Sequence, residues 1–303
     1  HRDLHYPLRR QRQMCIRDSL EYAVKGANWL VGQAVPAPGG YKWRSFSTID
    51  HNMTGWYHGT AGLSHVLMEI YSDTQNTTYL DHAQGGAGWL ISMAMDMGPG
   101  EKAWVRVEGN VNPSLTWCGG TNGIVQFFIR MWEATGDSIY LEQAMAGANW
   151  TIGQGTEMGE RMLSIDHMNI LCHGDPSQAL VLFMLNKATG DPKYLDAAER
   201  IMNWMIYQRV EVNDDELKWP HLIGGSEYIT GLLMGNSGIG HAFIGSYKMT
   251  GNATYLEHAR RSANWVMNMS EEISPGVMRW NYKEGIDDTA EYCPGWYWGA
   301  AGI

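Results

Sequence analysis

Thr135-Gly136-Asp137-Ser138-Ile139-Tyr140-Leu141-Glu142, closed a few residues on by Ala148-Asn149-Trp150, decides the fold because the chain repeats it. The Asn-Trp ending returns in Ala27-Asn28-Trp29, Met202-Asn203-Trp204 and Ala263-Asn264-Trp265, and as Gly-Trp in Ala87-Gly88-Trp89, a period of 54 to 61 residues. Tyr79-Leu80-Asp81, Tyr194-Leu195-Asp196 and Tyr255-Leu256-Glu257 stand where Tyr140-Leu141-Glu142 does, and Thr189-Gly190-Asp191 and Thr250-Gly251-Asn252 repeat the turn. A polar turn, an acid in the first turn and apolar spacing predict a helix start. Upstream lie Gly-rich openings: Gly59-Thr60-Ala61-Gly62, Gly120-Thr121-Asn122-Gly123, Gly174-Asp175-Pro176-Ser177, Gly235-Asn236-Ser237-Gly238 and Gly299-Ala300-Ala301-Gly302. They lead into apolar stretches of helical length, such as Ile124 to Trp132 and Ala179 to Leu185.

Each unit therefore reads as a helical hairpin, an apolar inner helix followed by an amphipathic outer helix that ends at Asn-Trp. The Trp of that pair is expected to pack between outer helices. Alternating, glycine-rich segments between hairpins, such as Tyr41 to Phe46 and Val277 to Tyr282, predict short β-like arms. The expected fold is all-α: an α/α toroid of repeated hairpins, closed because inner helices that are nearly all apolar need burial on every side.

The repeat runs through nearly the whole chain with no Pro- or Ser-rich linker, so residues 19–303 are expected to form a single domain. Residues 1–18 carry no repeat signature, hold five arginines and two acids, and look like a translated sequencing adapter; they are set aside as a non-native tail without a role in the fold. Without them 17 basic residues face 30 acidic ones, a charge of −13 against −10 for all 303 residues, which argues against a nucleic-acid surface. No apolar run approaches the ~20 residues of a spanning helix. The four cysteines are too scattered for a disulfide framework and read as reduced thiols, which points to the cytoplasm. The first repeat enters at its outer helix and the last stops at an opening, so the toroid is expected to be incomplete at both ends.

Cys118, Cys172 and His173 share a place in the repeat, just before the glycine that opens an inner helix. Two thiols and one imidazole can supply three of the four ligands of a tetrahedral zinc ion and leave the fourth place to a substrate, a catalytic arrangement. His58 precedes its opening glycine as His173 does.

The ordered set His58-Gly59-Thr60-Ala61-Gly62, Trp117-Cys118-Gly119-Gly120, Cys172-His173-Gly174 and Leu233-Met234-Gly235-Asn236-Ser237-Gly238 resembles the lanthionine synthetase C-like proteins over roughly residues 20–303. The resemblance implies an α/α toroid that binds Zn2+ through Cys118, Cys172 and His173. It also implies a zinc-dependent addition of a peptide cysteine or glutathione thiol to a dehydroalanine or dehydrobutyrine, giving a thioether. By the same resemblance His58 acts as acid or base beside the enolate. The partners would be a peptide or protein containing dehydroamino acids, and glutathione.

Two features depart from that pattern. The Arg that members often carry shortly before Trp-Cys is missing from Val111 to Thr116, and Arg106 lies too far upstream in sequence to be carried over. The Asp contributed by an earlier repeat has only weak counterparts in Asp50 and Asp166, which occupy matching arms. Cys293 misses the ligand position, where Tyr297 stands, and reads as a core residue. Two other classes fit parts of the pattern. A toroidal glycosidase or epimerase would need facing carboxylates at the helix openings, where Asp175 alone is found. A non-catalytic zinc toroid would bind a peptide without altering it.

Overall fold

The computed structural model describes residues 5–45, 52–154 and 168–285 together with residues 295 and 303; for residues 5–17 the description is of the backbone alone. Among these, five outer helices are α1 (His5–Gln33), α3 (Thr77–Ser92), α5 (Ser138–Gly153), α7 (Pro192–Tyr207) and α9 (Ala253–Asn268). Four inner helices are α2 (Thr60–Thr74), α4 (Thr121–Thr135), α6 (Asp175–Thr189) and α8 (Asn236–Thr250). The arms are two-stranded antiparallel hairpins: β1–β2 (Val35–Ala37, Gly40–Lys42), β3–β4 (Met95–Gly98, Glu101–Ala103), β5–β6 (Val210–Asn213, Glu216–Lys218) and β7–β8 (Ser270–Ser274, Val277–Trp280). The arm containing Asp166, the stretch with Asp50, and Cys293, Tyr297 and the last opening lie outside the described residues.

The turn chemistry acts as the sequence predicts. Asn76, Asp137, Asp191 and Asn252 cap the four outer helices that follow an inner helix, each side chain accepting from the backbone N–H two residues on. Such a cap contributes about 1 kcal/mol. Gly136, Gly190 and Gly251 end the inner helices at φ 71–72°, in the left-handed region that costs a side chain strain; the first repeat places Gln75 there, at φ 57°.

Each inner helix packs on the outer helix that follows it, and the inner helices lie against one another in the order α2, α4, α6, α8. Buried aromatic rings fill the space between the two layers, with Phe127, Phe128, Phe183 and Phe243 on the inner helices and Tyr79, Tyr194 and Tyr255 on the outer ones. Two of these tyrosines explain a repeated motif. The Tyr79 hydroxyl donates to Asn28 Oδ1 at 2.8 Å and the Tyr194 hydroxyl to Asn149 Oδ1 at 3.2 Å, so the Tyr of one repeat is tied to the Asn-Trp pair of the repeat before it.

A second tryptophan series anchors the arms. Trp43, Trp104, Trp219 and Trp280 donate their indole N–H to the carbonyls of Leu30, Leu90, Met205 and Val266 near the ends of the preceding outer helices. The backbone N–H of Trp43, Trp104 and Trp219 in turn donates to Thr60, Thr121 and Asn236, the first residues of the next inner helices. Every inner-helix opening is thereby positioned relative to the arm before it, wherever the arm is described.

The structure differs from the sequence expectation in two respects. Trp89, Trp150 and Trp265 are buried, but Trp29 is 64% exposed. The inner helices are not uniformly apolar, since α2 shows Glu69, Ser72 and Asp73 on an open face and α8 shows His241 and Lys248. The first helix, α1, begins at His5 and runs on through residue 18. No helix among the described residues is long and apolar enough to cross a membrane.

Candidate metal centre

The loops before the inner helices are laced together by a backbone ladder. Tyr57 N–H donates to the Cys118 carbonyl at 2.9 Å, Cys118 N–H to the Cys172 carbonyl at 3.1 Å, and Cys172 N–H to the Leu233 carbonyl at 3.0 Å. These residues each stand two before the N-cap glycine of an inner helix, Gly59, Gly120, Gly174 or Gly235. Repeat-equivalent side chains from neighbouring hairpins are therefore brought side by side.

Cys118, Cys172 and His173 meet as expected, their donor atoms all within 4.8 Å of one another, with Cys118 Sγ 3.2 Å from His173 Nε2. Both cysteines are free thiols and buried. A tetrahedral ion with metal–sulfur bonds of ~2.3 Å and metal–nitrogen bonds of ~2.0 Å spaces its donors ~3.5–3.8 Å apart, a separation this group reaches with small side-chain adjustments. Soft sulfur donors suit zinc and disfavour magnesium or calcium. The Cys118 thiol is drawn below its ordinary value, first by its hydrogen bond with Cys172; burial opposes this, while the hydrogen bond and charge of His173 and the charge of Arg106 add to it. A lowered thiol is the more readily converted to the thiolate that a metal binds.

The surroundings are asymmetric. On one side Ile170, Leu171, Leu233 and Met234 bury the sulfurs in an apolar wall. On the other side stand His58 and Tyr57, whose rings meet edge to face with centroids 4.5 Å apart. Burial holds His58 below its ordinary value, the charges of Arg106 and His173 act in the same direction, and Cys118 opposes them. Burial first, then Cys172 and Cys118, push the Tyr57 phenol above its usual 10. Tyr57 and His58 border a cavity of about 870 Å³, walled also by Trp56, Trp117 and Leu63. Trp56 and Trp117 occupy equivalent loop positions with ring centroids 5.8 Å apart, and Gln126 fixes the Trp117 indole by accepting its N–H at 2.8 Å.

Arg106 requires a correction. It stands twelve positions before Cys118, yet its side chain lies over Gly119: a Cβ on that glycine would meet Arg106 Cγ at 2.9 Å and Nε at 3.1 Å. The approach is made by the loop after β4, which folds back through a Val105–Pro113 bridge and is joined to the preceding loop by a Met53–Val107 bridge. Sequence distance failed as a guide because two short β-bridges close the gap. The residue type of Tyr57 carries no signal, and only its register with the two cysteines marks it.

Stacked helical hairpins, with two thiols and an imidazole gathered at neighbouring openings, define a repeat protein whose Cys-Cys-His group could hold a metal ion. The sequence model of the family described as lanthionine synthetase C-like protein matches residues 15–216, and the chain belongs to that family. Among solved structures it is similar to nisin cyclase, at 16% identity over 73% of this chain and 60% of that one, TM-score 0.55. It is also similar to a D-mannose isomerase, at 15% identity over 80% and 68%, TM-score 0.56. A GH76 α-mannanase of Bacteroides thetaiotaomicron matches at 16% identity over 84% and 64%, TM-score 0.53. The chain thus spans 60 to 68% of the length of these proteins, and the likeness is one of fold, that of α/α-toroid structures.

Proposed function

We propose that this chain is a zinc-dependent enzyme that adds a cysteine or glutathione thiol to a dehydroalanine or dehydrobutyrine residue of a peptide, forming a thioether on an α/α toroid in the cytoplasm. The observation that supports it is the convergence of Cys118, Cys172 and His173 beside a polar wall holding His58 and Arg106. Those three residues would hold Zn2+. Bound zinc supplies a substrate thiol that is deprotonated and oriented at neutral pH.

The remaining work falls to the chain's own residues. As the sulfur bonds to the β-carbon, the alkene electron pair moves towards the carbonyl, and negative charge builds on its oxygen. Arg106, seated over Gly119, is a fixed cation beside that charge. His58, whose burial favours the neutral ring, can take the proton released by the thiol and return it to the α-carbon. The apolar wall around Leu171, Leu233 and Met234 shuts water away from the sulfurs.

The fold neighbours that act on sugars recommend a carbohydrate enzyme as the second reading. Glycoside hydrolysis needs two carboxylates across the scissile bond, and the described openings place Thr60, Thr121, Asp175 and Asn236 at the first helical position. The deciding experiment incubates the purified chain with a dehydroalanine-containing peptide and a thiol, and measures adduct mass together with bound metal. One zinc per chain, lost in Cys172→Ala, and thioether formation that falls ~10²–10⁴-fold in His58→Ala with zinc retained, are expected. Zinc binding without any thioether product would leave a peptide-binding protein; stoichiometric zinc in the Cys118→Ala, Cys172→Ala double variant would overturn the metal site.

A further inference from the structure

We infer that Tyr57 is a further catalytic residue of this site, its phenol O–H donating a hydrogen bond to the substrate carbonyl oxygen on which enolate charge develops. The inference rests on the thiol-addition reading and names a group that reading does not use. Tyr57, Cys118, Cys172 and Leu233 are the same residue of four successive repeats, joined N–H to carbonyl in one ladder, so their side chains leave a common spine. The two in the middle carry the sulfurs.

The two ends of the ladder differ in access. Leu233 is fully buried, whereas Tyr57 is 37% exposed and borders the cavity of about 870 Å³ together with His58. A substrate seated in that cavity meets the phenol and the His58 ring together. The edge-to-face contact with His58, 4.5 Å between centroids, sets the two polar groups side by side. That pairing matches the needs of the reaction, since the proton enters at the α-carbon and the charge accumulates two atoms away on oxygen. No proton leaves Tyr57: the S–C bond forms, the π pair shifts to the carbonyl oxygen, His58 protonates the α-carbon, and the phenol only holds the oxygen while it is charged.

The test is Tyr57→Phe in the zinc-loaded full chain, with two readouts. In 3-mercaptopropionate a charged oxygen stands the same number of bonds from sulfur as in the enolate; 3-mercaptopropanol is its neutral counterpart. Calorimetric titration should show the wild type favouring the carboxylate, and Tyr57→Phe should lose about tenfold of that preference with zinc content unchanged, as expected for a hydrogen bond to a charged group. Turnover of a dehydroalanine peptide should fall ~10²-fold in kcat. An unaltered preference and kcat would overturn the assignment, as would loss of zinc, which would make Tyr57 a ligand or a prop. If the wild type forms no thioether, the enzymatic reading fails by itself, and with it the catalytic role of Tyr57, while the titration still decides whether Tyr57 holds an anionic oxygen.

Discussion

Replacing Gly123 by Ala tests whether the helix openings build the site. Gly123 is the third residue of α4, and a Cβ there would stand 2.0 Å from the Trp117 carbonyl oxygen and 2.8 Å from Trp56 Cβ, about 1.4 Å short of the 3.4 Å at which ordinary contact with the oxygen begins. The loop cannot withdraw freely, because Gly120, Thr121 and Asn122 donate to the carbonyls of Thr116, Ser114 and Leu115. Overpacking of this kind costs ~1–3 kcal/mol, and strain on one such hydrogen bond adds ~1 kcal/mol, so a loss of about 2–4 kcal/mol in urea denaturation is expected. The displaced carbonyl is bonded to the nitrogen of Cys118, and that N–H anchors Cys118 to Cys172. Zinc affinity, measured by competition with a chromophoric chelator, should therefore fall at least tenfold. Gly136→Ala is the control: at φ 72° with nothing near its Cβ, it should cost ~1–2 kcal/mol from backbone strain alone and leave zinc affinity intact. Wild-type stability in Gly123→Ala, or equal loss of zinc in both variants, would refute the argument.

The first repeat's Gln75 takes the left-handed position that glycine holds elsewhere, so Gln75→Gly should stabilise the chain by ~0.5–1 kcal/mol in the same denaturation, the relief of strain exceeding glycine's entropic cost. Glu108 accepts from Lys42 at 2.6 Å and Asn52 at 2.7 Å, and although burial alone would raise it, these partners hold it below its ordinary 4.5. Its contribution should be complete above about pH 4.5 and fade as pH falls through its lowered value; Glu108→Gln should remove up to ~1 kcal/mol at pH 7 and much less at pH 3. Deletion of residues 1–18 should leave the thermal midpoint unchanged, and a fall of several degrees would make the start of α1 part of the fold.

The hairpins were legible because their signals are local. A polar N-cap, a glycine at the end of the inner helix and a Tyr three residues past the cap act within one turn, and the repeat presents them again and again. The metal-type group was legible for a related reason: equal repeat position becomes spatial adjacency once the inner helices pack in order. What escaped was non-local or chemically unremarkable. Arg106 reaches the site through isolated bridges that no periodicity announces. The arm tryptophans, Trp43, Trp104, Trp219 and Trp280, keep the repeat's spacing of 61 residues within each described pair, but their role lies in hydrogen bonds to helix ends, which composition does not reveal.

The same scaffold in sugar-acting proteins raises the question of what distinguishes the openings here. At the first position of each inner helix, Thr60, Thr121 and Asn236 are occupied in accepting the N–H of an arm tryptophan. Asp175, in the equivalent place, is 5% exposed and pushed up to about 7 by burial, so no second, ionised carboxylate faces it from those positions. Reactive groups stand one and two residues before the N-cap glycines instead, as Tyr57, His58, Cys118, Cys172 and His173, where the backbone ladder brings neighbouring loops together. A ladder at that level can assemble ligands from different repeats around one small ion, whereas a pair of catalytic carboxylates must be held far enough apart to admit a sugar between them.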